Sequence, residues 1–192
     1  MINKDTLYKN ILYGFYLRLI ITLIILSLLK LIIKKQGFNS SCKVNLNLIL
    51  PLILFLLDGV DEIPPLINLG YKNKKRACKT FRYQSLDKIN DLLSYILTCI
   101  IFRLDKYFIF FIMIRTIGVS LFLKYRKVRY LILFPDFMKE YLLYRYFFCS
   151  NDRAELPEGT GHPCNNKLLL FFFICKMCIE YYWHIKKNKG IF

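Results

Sequence analysis

The chain has 192 residues, enough for one domain or a small bundle. Its hydrophobic content of 56% exceeds the roughly 45–50% of an ordinary soluble domain, a figure that also counts glycine, and its mean hydropathy is +0.36. The net charge of +16 lies in short basic clusters between apolar stretches, without a Gly-rich phosphate loop or zinc-finger spacing. Specific nucleic-acid binding is therefore not expected, and loops beside an anionic leaflet are the better reading.

Six apolar blocks follow one another. The first, 11–33, is longer than the usual h-region and has no small-x-small cleavage site after it, which predicts an uncleaved transmembrane anchor. The second, 45–70, contains Pro51, Asp58-Gly59 and Pro64-Pro65. Proline ends or kinks helices and Asp-Gly marks a turn, so this block predicts a broken or re-entrant segment with Asp58, Asp61 and Glu62 at its turn. Blocks 89–104, 107–123 and 130–149 read as further crossings. A polar outer loop, 150–167, then precedes a last crossing, 168–185.

Basic residues fix the expected orientation. Lys30, Lys34, Lys35 and Lys43 precede block two, and Lys72, Lys74, Lys75 and Arg76 follow it. Both clusters face the cytoplasm only if block two returns to the side it entered from. The expectation is thus an all-α integral membrane protein, a multi-pass helical bundle in one membrane-embedded domain. It has about five crossings plus one re-entrant or interfacial hairpin, with six full crossings as the alternative. Basic loops and the C-terminus lie on the cytoplasmic side. The expected partners are a lipid bilayer with an anionic inner leaflet and other membrane proteins.

Charges inside the apolar blocks are the candidate functional groups. Arg115 stands eight residues from either end of 107–123. A charge at such depth is costly and faces the bundle interior or an acidic partner. Asp87 and Asp91 are four apart and share a helix face, with Tyr95 one turn further on. Ser85 and Asp87 also suit a helix N-cap. Asp136 and Glu140 repeat the i, i+4 spacing after Pro135. Arg18 raises the same question as Arg115, less sharply.

Three functions are compatible with these groups: a structural or membrane-organising protein, a lipid- or phosphate-headgroup-modifying membrane enzyme, and a small transporter or pore. The enzyme reading assigns catalysis to Asp58, Asp61, Asp87, Asp91 and Arg115, with a divalent metal held by the carboxylates and a phosphate met by Arg115. No HExxH, GxSG or Walker pattern is present. Cys149 and Cys164 bracket the polar loop and form a possible disulfide on an oxidising side. Cys175 and Cys178 form a lone CxxC, a weak sign of metal or redox work.

Overall fold

Thirty-three residues from Lys4 to Gln36 wind into one helix, α1. Its sequence is Leu-, Ile- and Lys-rich and free of proline, so nothing interrupts it. The helix begins upstream of the apolar block, and Arg18 therefore sits well inside it. The computed structural model describes residues 4–36, 46–68, 80–149 and 166–182.

Block two is broken. Helix α2 (Leu46–Leu57) carries Pro51 within it and ends in a turn where Asp58 N–H donates to Leu54 O (3.2 Å) and Gly59 N–H to Leu56 O (3.4 Å). A 3-10 turn, Val60–Glu62, follows, then a short helix α3 at 63–68 with Pro64 and Pro65 in its first turn. Proline is tolerated there because first-turn N–H groups have no helical acceptor. Of Asp61 only the backbone is described.

Helix α4 (Phe81–Phe102) starts earlier than block three, capped by Thr80, whose side chain accepts from Tyr83 N–H. Ser85 and Asp87 are consequently not its caps. Ser85 instead bonds back to Phe81 O at 2.7 Å. Arg103 then takes a left-handed conformation (φ 49°) and ends the helix. Helix α5 (Lys106–Tyr125) is capped by Asp105, which accepts from Phe108 N–H, and closes on a second left-handed arginine, Arg126 (φ 54°).

Block five is not one helix. It divides into α6 (Arg129–Leu133) and α7 (Met138–Tyr144), which runs into a wider π-type turn, Arg145–Cys149. The break falls at Phe134-Pro135. Proline disfavours helical geometry in the residue before it, and Phe134 has left the helix at φ −124°, ψ 70°. Helix α8 (Asn166–Tyr181) completes the described chain.

Packing gathers these elements around a mixed core. Helix α1 lies along α4 and against the 3-10 turn, α2 packs on α7, and α5 packs on α4 and α6. Leu50, Leu54, Phe108, Phe137, Met138 and Tyr141 are buried at its centre. Phe111, Phe137 and Phe173 meet one another with ring centroids 5.0–5.9 Å apart, contacts worth about 0.5–1.5 kcal/mol each beyond their buried area.

The bundle of five or six crossings is overturned by these lengths. A span needs roughly 20 apolar residues. Among the described residues two helical stretches, Asp5–Lys34 and Lys106–Tyr125, are long and apolar enough to cross a membrane. Helix α2 has 12 residues, α6 has 5, α7 has 7 and α8 has 16. Helix α4 is long enough at 22 residues, but Arg82, Asp87, Lys88 and Asp91 occupy its first half. The alternating loops, the cytoplasmic basic face with its C-terminus, and the anionic bilayer and membrane-protein partners all rested on those crossings and fall with them. What stands is an all-α bundle whose interior holds ion pairs and an aromatic cluster. Residues 150–165, Cys164 among them, and the side chain of Cys149 lie outside the described residues, and with them the expected disulfide.

Candidate functional site

One face of α4 is polar and buried. Asn90, Asp91, Ser94, Tyr95 and Thr98 repeat at helical spacing. Ser94 and Thr98 satisfy their hydroxyls by donating to the carbonyls four residues back, at 2.8 and 2.7 Å. Asn90 Nδ2 reaches across to Phe15 O at 3.2 Å. That bond fixes α1 against α4 and delivers Arg18 to Asp91.

Arg18 is 1% exposed. Its Nη2 donates to Asp91 Oδ1 at 2.6 Å and to Asp58 Oδ1 at 2.8 Å, and its Nη1 to Asp87 Oδ1 at 3.3 Å. Lys88 Nζ lies 2.7 Å from Asp87 Oδ2 and 3.3 Å from Asp91 Oδ2. Lys139 Nζ pairs with Asp58 Oδ2 and sits 4.9 Å from the centre of the Phe55 ring. Three carboxylates thus meet three cations, and the cluster is formally neutral.

Two carboxylates on one guanidinium nitrogen cannot ionise equally. Burial, then the negative charge of Asp91, pushes Asp58 up to about 6 against the pull of Lys139 and Arg18. Burial also works against the charge on Asp91, but Lys88 and Arg18 outweigh it and hold that carboxyl well below the usual range. Burial likewise disfavours the charge of Lys88, yet Asp91 and Asp87 carry its ammonium above the usual lysine value.

Beside this cluster opens a cavity of about 200 Å³. Asp58, Lys88, Asp91 and Lys139 line it together with Arg115, Asp136, Glu140, Lys176 and Glu180. Arg115, from the middle of α5, is 2% exposed. Its Nη1 donates to Phe134 O at 2.9 Å and Leu131 O at 3.3 Å, closing the free carbonyls at the end of α6. Its Nε is buried with no hydrogen-bond partner, and among the described residues no carboxylate forms an ion pair with it. The approach of the Phe134 backbone depends on Gly118, where an added Cβ would overlap Phe134 Cβ and come within 3.2 Å of Phe134 O.

The other acids of the lining are incompletely bonded. Tyr95 Oη donates to Asp136 Oδ2 at 2.7 Å, while Asp136 Oδ1 is buried and unpartnered. Lys176 Nζ donates to Glu140 Oε1 at 2.5 Å, while Glu140 Oε2 is buried and unpartnered. Lys176 also lies 3.7 Å from Glu180. Burial raises Glu140 against the opposing charge of Lys176, and raises Glu180 against Arg115 and Lys176. Burial, and then Asp136, lifts the Tyr95 phenol well above its ordinary value, so its hydroxyl stays a donor.

Of the residues singled out in the sequence, Asp58, Asp87 and Asp91 come together, but on Arg18 and not on Arg115. Arg115 faces the same cavity without touching them. A divalent metal does not fit the three aspartates, whose oxygens are already taken by one guanidinium and two ammonium groups. Among the described residues no group of three or more His, Cys, Asp or Glu side chains is arranged to hold a metal ion. Lys88, Lys176 and Glu180 were not singled out from the sequence, and Lys139, whose sequence position suggests an interfacial start or local pairing, pairs instead with the distant Asp58. For Lys176 and Glu180 a signal existed, since both interrupt the apolar block 168–185 just as Arg115 interrupts 107–123. Compared with known protein families, curated proteins and solved structures, the chain matches none.

Proposed function

We propose that the chain is a small helical binding protein whose charged cavity holds a small polar solute. One observation carries this reading: Arg115 lines the cavity at 2% exposure and, among the described residues, no carboxylate forms an ion pair with it. So buried a charge calls for close compensation; the two carbonyls on Nη1 supply only partial charge, and Glu180 attracts it from beyond ion-pair distance. A solute in the cavity supplies the direct partner. Apolar lining is confined to Phe55 and Leu131, which argues against an oily ligand. A ligand that binds the native state alone raises stability by mass action, by about 2.7 kcal/mol at a concentration of 100 Kd. A thermal-shift panel of small polar metabolites at millimolar concentration should therefore contain compounds that raise Tm in the wild type and not in Arg115→Gln. A panel that leaves the wild-type melt unmoved throughout sinks the binding reading.

Asp58 favours a second reading, acid–base chemistry on the bound solute. Its carboxyl lines the cavity and, at about 6, exchanges a proton close to neutral pH. In this reading Asp58 moves the proton, Asp91 keeps its charge, Asp87 helps hold Arg18, and Arg115 orients an anionic group. Asp61 remains a candidate on its sequence position alone. Asp58→Asn should abolish turnover of any solute found by the panel while leaving its binding in place. Turnover by that variant at the wild-type rate removes the catalytic reading.

A further inference from the structure

With the crossings gone, no anionic leaflet accounts for the basic clusters of the chain. Of its thirteen acidic side chains, six pair with Arg18, Lys88, Lys139, Arg145 or Lys176. The excess of +16 therefore falls on basic residues outside those pairs. One group of them stands at the turn from α5 to α6. Lys124, Arg126, Lys127 and Arg129 are all exposed there. Among the described residues none of the four forms an ion pair, and the stretch 106–135 contains no acidic residue.

Two aromatic rings stand among these cations. Tyr125 is 47% exposed and Tyr130 is half-buried, with their ring centroids 5.4 Å apart and their planes at 37°. Lys124 Nζ lies 5.3 Å from the centre of the Tyr125 ring, and Arg129 Cζ lies 5.3 Å from that of Tyr130. Four cations without carboxylates suit any polyanion. The tyrosines narrow the class, because a ligand gains from them only by offering flat faces of its own. A sulfated polysaccharide has none, and a duplex keeps its bases stacked on one another. We infer that the turn between α5 and α6 is a surface for single-stranded nucleic acid, which sets phosphates on the cations and bases on the exposed tyrosine. It goes beyond the solute cavity and does not depend on it.

Phosphates and ring faces are common to every nucleotide, so binding here is independent of sequence. Its strength is set by salt. Each phosphate neutralised on a single strand contributes about −0.7 to the slope of log affinity against log salt concentration. Four cations therefore give a slope of about −2.8, a loss of roughly fiftyfold in affinity between about 50 and 200 mM salt. Arg126 offers a clean way to remove one of the four. It closes α5 in the left-handed conformation at φ 54°, which glycine adopts with less strain.

The test is fluorescence anisotropy of labelled oligo(dT) and oligo(U) titrated with the full chain over a range of salt. A duplex of the same length, heparin and phosphatidylserine-containing vesicles serve as comparisons. Both single strands should bind, and more tightly than the duplex. Lys124→Gln, Lys127→Gln and Arg129→Gln should each make the salt slope shallower by about 0.7, and Arg126→Gly should do the same with no loss of Tm. Tyr125→Ala should weaken the oligonucleotides about fivefold or more and leave heparin affinity unchanged. Should that variant lose its helical circular dichroism, Tyr125→Leu takes its place, keeping bulk without the ring. Duplex or heparin bound as tightly as the single strands, or oligonucleotide affinity untouched by the Tyr125 substitution, would overturn the single-strand assignment. Vesicles that capture the chain from the oligonucleotide would overturn it in favour of a lipid surface. A slope unmoved by all four charge substitutions would overturn the location, and no binding at about 50 mM salt would overturn the surface altogether.

Discussion

Arg18 and Arg115 are 1% and 2% exposed, each inside a long apolar helix, yet they are held by opposite means. Arg18 is met by three carboxylates on two other segments of the chain. Arg115 is met by two backbone carbonyls and faces a cavity. A buried charge neutralised from within ties elements together, and removing it leaves its partners stranded. A buried charge whose direct hydrogen bonds go only to peptide carbonyls keeps capacity for something brought from outside. The first arginine therefore belongs to the scaffold, and the second to the site.

The largest effect that separates them is on stability. Arg18→Gln leaves three carboxylates, Asp58, Asp87 and Asp91, to two ammonium groups and should cost about 3–5 kcal/mol in urea unfolding, with part regained when Asp91→Asn is added. A variant that unfolds at the wild-type urea midpoint would place Arg18 and Arg115 in the same class. Arg115→Gln removes charge-assisted bonds to Leu131 and Phe134 but strands no acid, so its cost should stay near the bottom of about 1.5–3 kcal/mol while ligand-induced stabilisation disappears. Gly118→Ala drives a methyl into Phe134 and should cost about 1–3 kcal/mol by overpacking. It should also weaken solute binding, because Phe134 O orients Arg115.

The most gradual effect is a slope with pH. Asp58 is raised to about 6 from roughly 3.9 in an unfolded chain, so the native state keeps a proton that the unfolded state gives up. Its contribution is full below about pH 4 and is lost as pH rises through about 6. Glu140 and Glu180 are raised by burial and slope the same way, so Asp58→Asn should make the decline shallower without abolishing it. Asp91, held low, has the opposite sign: its contribution is present above the ordinary carboxylate range and is lost on acidification below it. Urea midpoints between about pH 4 and 7 would show the first trend and midpoints below about pH 4 the second, and an unchanged slope above about pH 4 in Asp58→Asn would remove Asp58 as a source of the first.

The sequence made the helical class legible, along with the presence of charges inside apolar blocks. The i, i+4 spacing of Asp87 and Asp91 put both on one face, and that face does meet a single partner. The partner was not legible. Arg18 and Asp91 are 73 residues apart, and no local pattern distinguishes the arginine that collects acids from the one that does not. The membrane reading failed for a related reason. An apolar run looks alike whether it crosses a bilayer or lies in a core, and a count of hydrophobic residues over 130–149 passes over the break that Phe134-Pro135 imposes.

The two left-handed arginines carry a consequence for how the molecule moves. An arginine with positive φ sacrifices about 1–2 kcal/mol of backbone comfort that a glycine would keep. At Arg126 the side chain lies 5.0 Å from the centre of the Phe81 ring at the start of α4, and Phe81 in turn rests 5.3 Å from Phe122 near the end of α5. These two contacts tie the end of α5 to the start of α4. Across the cavity wall the situation differs at α8, in which Leu169 is the one buried residue and which contributes Lys176 and Glu180 to the lining. Helix α8 is therefore the part of the wall least held by buried contact, where local opening costs least.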